Sequence, residues 1–210
     1  MKSSISIEQL FADLIEQTHQ HSCKLPPVDL WHPEKTGDMD LRIDREGRWF
    51  HESVEIKRSS IVKLFSSLLK TEDGEYFLLT PTEKWQIQVD IAPFFIIDAR
   101  RTMRQGVQAI SVTTNTGEEV LLGRDNPLII DSKPPEEPLL PLVHIRDKLN
   151  ALASRAVYYQ LIDWGRELHS SDGRSQLILD SLGCQFSLGE IPGKSLTTYS
   201  DNLDRQNPLE

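Results

Sequence analysis

One order of elements occurs twice along this chain, and that recurrence constrains the fold more than any single motif. Leu41-Arg-Ile-Asp-Arg-Glu-Gly47-Arg-Trp-Phe50 alternates apolar and polar residues around a glycine, which predicts a hairpin turning at Gly47. A short strand is expected at 53–56, ending in the basic pair Lys57-Arg58. A helix should follow, because Ile61, Leu64, Phe65, Leu68 and Leu69 fall on one face and Ser59 or Ser60 can cap it. Asp73-Gly74 marks its exit. Strands at 76–79 and 85–89, joined by a turn at 81–84, make a second hairpin.

The order returns from Ala109 onward. A hairpin turns at Gly117, and apolar strands are expected at 127–130 and 142–146, the latter ending in Arg146. Leu149, Leu152, Ala153, Ala156, Val157, Leu161 and Trp164 repeat at helical spacing, and a last hairpin turns at Gly183. A duplicated hairpin-strand-helix-hairpin unit predicts an α+β protein of two domains, 38–92 and 93–191. Ahead of them, 1–37 reads as a helix over 6–19 with a Ser6/Gln9 capping box. An extended arm follows, set by Pro26, Pro27 and Pro33 and anchored by Trp31. The stretch 192–210 is polar, with almost no apolar content, and reads as a disordered tail.

Composition narrows the function classes. The 210 residues are 38% hydrophobic and 26% charged, which suits a folded domain. The net charge of -9 argues against a general nucleic-acid or membrane-surface binder, though it leaves room for a local basic patch. No apolar run approaches the roughly 20 residues of a membrane span, and no signal-peptide core opens the chain. Two cysteines, Cys23 and Cys184, then read as reduced thiols of a cytoplasmic protein.

The motifs that carry chemistry are few. His19-x-His21-x-Cys23 lacks a second ligand cluster. Gly189 to Ser195 lacks the glycine that a phosphate loop needs at Leu188. Asp38 and Asp40 read as exposed acidic residues, and no nucleophile elbow is present. No cofactor and no metal site is expected.

The cations are more informative. Lys57 and Arg58 precede the first expected helix, and Arg146 and Lys148 precede the second. A cation at a helix start is unfavourable by about 0.3–1 kcal/mol, unless an anion is held there by it and the free amides. Two readings stand: an anion site, or solvated cations paired with Glu55 and Asp147. Likewise Thr80-Pro-Thr-Glu83-Lys84 reads as a locally hydrogen-bonded turn or as part of a site. Phe94, Tyr158 and Tyr159 read as core packing or as pocket lining.

Trp31-His-Pro, Met39-Asp-Leu-Arg-Ile, Gly47-Arg-Trp, Leu64-Phe, Leu79-Thr-Pro-Thr-Glu-Lys84, Ala92-Pro-Phe94 and Arg155-Ala-Val-Tyr-Tyr resemble the bacterial DUF1285 family. The resemblance covers 26–191 and is most specific over 78–94. It implies a two-domain α+β fold with a duplicated core, a second half loosely like a pleckstrin-homology domain, and no established activity. It further implies a nucleotide-like ligand in an interdomain cleft and a signalling role, with Lys84 toward a phosphate and Trp85 toward a base. The family tends to carry two acidic residues before Ala-Pro-Phe, whereas this chain has Asp90-Ile91.

Together these readings predict a protein that binds a small anion through Arg58, Thr80, Glu83, Lys84, Trp85, Phe94, Arg146 and Tyr159 and relays its presence to a protein partner. Two alternatives stay open. One is an enzyme on a phosphorylated substrate, with Asp90 or Glu83 as base and Lys84 or Arg58 as electrophile. The other is an interaction module that uses the acidic loop at Glu136-Glu137.

Overall fold

The structure is a computed structural model and describes residues 25–131, 139–169 and 175–191. The expected helix at 6–19, the His19/His21/Cys23 group, the Glu136-Glu137 loop and the tail from 192 lie outside the described residues.

Among the described residues the chain is mostly β, with fifteen strands and two nine-residue α-helices. The α+β expectation is therefore corrected. In chain order the elements are β1 (Lys35–Ile43), β2 (Trp49–His51), β3 (Val54–Glu55), α1 (Ser59–Ser67), β4 (Leu69–Glu72), β5 (Glu75–Leu79) and β6 (Glu83–Val89). There follow β7 (Phe94–Arg104), β8 (Val107–Thr114), β9 (Glu119–Leu121), β10 (Leu128–Asp131), β11 (Leu140–Arg146) and β12 (Leu149–Ala153). The order ends with α2 (Arg155–Asp163), β13 (Arg166–His169), β14 (Ser175–Ser181) and β15 (Cys184–Ile191).

The excess strand has identifiable sources. Leu149, Leu152 and Ala153 look helical in spacing, but they form β12, which pairs antiparallel with β11 and parallel with β7. Strand β12 is buried at Leu149, Ala151, Leu152 and Ala153, so pairing on both sides outweighs the 3.6 period. The helix starts only after Ser154, whose Oγ accepts the Val157 amide at 3.2 Å. Leu69 belongs to β4 rather than to the end of α1, and Asp73-Gly74 is the β4–β5 hairpin turn, both residues having positive φ. The second half is likewise mostly strand, its one described helix lying between two three-stranded meanders.

The two six-stranded sheets share one topology. The first runs β3-β2-β1-β6-β5-β4 and the second β10-β11-β12-β7-β8-β9. Each joins two meanders through a central parallel pair, β1 with β6 and β12 with β7. A parallel pair needs a crossover; in the first sheet α1 lies on it, between β3 and β4. The sheet β13-β14-β15 packs beside the second.

One core runs through both sheets. Leu41, Ile43, Trp49, Leu64, Phe65 and Leu78 meet Phe94, Ile96, Ile110, Val143 and Leu149 in it. The Trp49 and Phe65 rings lie 5.9 Å apart, tilted by 46°. Helix α2 contributes Val157 and Leu161 against β7 and β14. Trp31 packs on the edge of this core, as expected of the arm's aromatic.

Candidate anion-binding groove

Two glycine turns of the same build meet between the sheets. In the first, the Gly47 amide donates to the Asp44 carbonyl and the Asp44 amide to the Arg48 carbonyl, at 2.9 and 3.0 Å. In the second, the Gly117 amide donates to the Thr114 carbonyl and the Thr114 amide to the Glu118 carbonyl, both at 2.9 Å. Asp44 Oδ1 and Thr114 Oγ1 each accept the amide of the residue four positions on. Asn115 joins the turns: its Nδ2 donates to the Gly47 carbonyl at 2.7 Å, while its backbone and Oδ1 pair with Phe95.

A groove of about 270 Å³ opens beside this junction. Gly47, Trp49, Lys57, Ser59, Lys63 and Asn115 line it, with Glu55 as an opposing carboxylate. It lies at the start of α1, where Arg58 is the N-cap and provides no side-chain cap. Neither Lys57 nor Lys63 has an ion-pair partner among the described residues. Arg48 is occupied by Asp44 and Glu46 and stacks over Phe50. Trp49 is buried at 1% exposure, and its Nε1–H has no acceptor among the described residues. Uncapped amides and two ammonium groups without ion pairs make the start of α1 the donor-rich wall of the groove, while the Trp49 donor lies sealed beneath it.

The residues expected to form a site are dispersed. Arg58 is exposed at the entry of α1. Arg146 lies at the other end of that helix: its Nη2 donates to the Ser66 carbonyl at 2.6 Å. Nine helical residues separate these ends by about 13 Å. Arg146 also pairs with Glu118 at 2.6 Å and covers the Phe94 ring at 4.9 Å, so its guanidinium and Phe94 are committed to packing. It precedes a hairpin to β12, not a helix, which corrects the expected second basic helix entry.

Thr80, Glu83, Lys84 and Trp85 form a second group. Thr80 Oγ1 accepts the Glu83 amide at 2.9 Å and closes the turn before β6. Glu83 accepts from Trp85 Nε1 at 3.3 Å and faces Lys35. Lys84 pairs with Glu72 and lies 4.0 Å over the Phe77 ring. Its ammonium, donating to Glu72, holds that carboxyl below the usual range. The Trp85 ring packs so close to Gly37 that a Cβ there would lie 2.7 Å from it. Tyr159 stands exposed on α2, whereas Tyr158 donates to the Leu188 carbonyl at 2.7 Å and is pushed up by burial. Asp90 receives a two-pronged bond from Arg42 at 2.9 and 2.6 Å, which lowers its pKa and weakens it as a base.

Lys63 and the unmet Trp49 donor were outside the expected set. Lys63 looks like any polar helix position, and nothing in the sequence marks a tryptophan as unsatisfied. Lys57, ahead of the cap of α1, is the one signal that pointed there.

Comparison with known proteins follows these two halves. Residues 26–92 match the N-terminal domain of DUF1285, a domain of unknown function, and 93–188 match the C-terminal domain of DUF1285, described as a protein of unknown function. A crystal structure of a DUF1285 family protein from Silicibacter pomeroyi DSS-3 is similar at 36% identity and a TM-score of 0.71, over 84% of this chain and 95% of that one. Another, from Shewanella baltica OS155, is 26% identical with a TM-score of 0.48, over 60% of this chain and 91% of that one. No curated protein matches.

Proposed function

The chain belongs to the DUF1285 family, and we propose that it binds a small anion, phosphate-bearing and nucleotide-like, in the groove between its two glycine turns, as a regulatory rather than catalytic protein. The observation that carries this reading is the convergence of Lys57, Lys63 and the uncapped first turn of α1 on one groove. An anion seated there satisfies amides that have no side-chain acceptor and reverses the unfavourable placement of Lys57. The groove's volume suits a phosphate with a small attached group better than a full dinucleotide.

The link to regulation is geometric. The groove is walled by α1 from the first half and by Asn115 from the second, so a ligand touching both biases how the turns sit together. Titration calorimetry of inorganic phosphate and of nucleoside mono- and diphosphates tests the reading. The expected result is binding that weakens in Lys57→Ala/Lys63→Ala and survives Lys84→Ala. Absence of binding by every probe at millimolar concentration overturns it.

A further inference from the structure

Outside the groove at α1, and sharing none of its lining residues, the tips of two hairpins lie side by side. The β7–β8 turn is Gln105-Gly106 and the β14–β15 turn is Leu182-Gly183, all four residues at positive φ. The Leu182 amide donates to the Gln108 carbonyl at 2.8 Å, and Gln108 Nε2 to the Asp180 carbonyl at 2.6 Å, which fixes one tip against the other. Arg104, Val107 and Leu182 share an open groove. Met103 is 64% exposed, Val107 46% and Leu182 39%.

The chemistry of this end is opposite to that of the protein. The chain carries a net charge of -9, yet Arg100, Arg101 and Arg104 follow one another on the exposed end of β7. Arg124 stands next to Gly123, where an added Cβ would lie 3.4 Å from Leu182 Cδ1. Arg100 is paired with Asp98, Arg101 stacks on Trp164, and Asp125 is the nearby acid, leaving Arg104 and Arg124 without ion pairs among the described residues. A leucine at a positive-φ turn position is strained relative to asparagine or glycine. Its Cδ1 packs beside Gly123, and the rest of the side chain stays open to solvent.

We propose that these two hairpin tips dock on an anionic lipid surface, with Val107 and Leu182 entering the interface and Arg104 and Arg124 meeting the phosphates. Two features favour a bilayer over a protein partner. The apolar set is two side chains, against roughly 20–30 residues a side in a standard protein interface. Moreover, an overall acidic molecule approaches an anionic bilayer only through an end where the sign is reversed, and this edge supplies it.

Co-sedimentation of the full chain with vesicles tests the proposal. One preparation is equal parts phosphatidylglycerol and phosphatidylcholine; the other is phosphatidylcholine alone. The expected result is binding to the anionic vesicles only, released by high salt. Arg104→Gln/Arg124→Gln removes two surface cations and lowers partitioning by about 30-fold, at roughly 1 kcal/mol each. Val107→Ser/Leu182→Asn lowers it by about tenfold or more with the charges intact. All four positions are exposed, so unchanged melting temperatures show that the fold is kept. No sedimentation with either vesicle, equal sedimentation with both, or binding indifferent to both double variants overturns the proposal. So does retention on an acidic protein without any vesicle binding.

Discussion

Arg146 Nη2 lies 2.6 Å from the carbonyl oxygen of Ser66, so a strand of the second sheet ends on the last turn of the first half's helix. Its other nitrogen holds Glu118 at 2.6 Å, beside the Gly117 turn, and its face covers Phe94. A cation at a helix C-terminus is favoured by the dipole, and a planar fork serves carboxylate, carbonyl and ring at once. The side chain is only 15% exposed and Ser66 is buried, so removing it leaves the Ser66 carbonyl without its guanidinium donor. Arg146→Met should cost about 2–4 kcal/mol by chemical denaturation, with Arg146→Lys recovering only part of it. Loss below about 1 kcal/mol would mean that the halves are held together elsewhere.

Gly47 is required on two counts. Its φ is +72°, and an added Cβ would lie 2.7 Å from both Asn115 Nδ2 and Phe95 Cβ. Gly74 has φ +87° with open space around it. Gly74→Ala should therefore cost about 1 kcal/mol of backbone strain, while Gly47→Ala should cost at least about 2 kcal/mol more because the turn junction must open. Thermal melts of the two variants separate strain from contact, and equal losses would remove the second count.

Acid should loosen the molecule through three carboxylates. Asp90 is held low first by the hydrogen bond from Arg42, Asp180 by that from Arg166 and Glu72 by that from Lys84. Each has a folded pKa below its unfolded one. Its contribution is thus fully present above the unfolded value, near 4, and is lost as pH falls through the folded value. Stability followed by denaturant midpoint should fall below about pH 4, and Asp90→Asn should flatten part of that fall. A midpoint unchanged down to pH 2 would show that these pairs are as strong unfolded as folded.

What the sequence disclosed depended on the range of the signal. The turns at Gly47, Gly117 and Gly183 follow from local residue types and formed where expected. Helix α1 followed from its apolar stripe, and its buried Leu64 and Phe65 lie on that stripe. Strands β7 and β12 were not legible. Their residues pair with each other in parallel across more than fifty positions, and no local pattern announces a partner that far away. The groove was half legible. Lys57 at a helix start was visible, but Asn115 reaches it only because the two sheets bring their glycine turns together. Arg146 was visible as a cation and misplaced, because its setting depended on reading β12 as helix.

Lys57 offers a test in which stability and binding move in opposite directions. It sits one residue before the N-cap of α1, where a positive charge opposes the helix dipole. With no anion present, Lys57→Gln should leave the protein unchanged or more stable by about a few tenths of a kcal/mol. If the groove takes phosphate, saturating phosphate raises the melting temperature of the native protein by mass action, worth about 2.7 kcal/mol at a hundred times Kd. The same addition should raise the variant less. Differential scanning fluorimetry of both proteins, with sodium phosphate against sodium chloride at matched ionic strength, reads the two effects separately. A variant that is less stable without phosphate and equally stabilised by it would assign Lys57 to packing and remove it from the site.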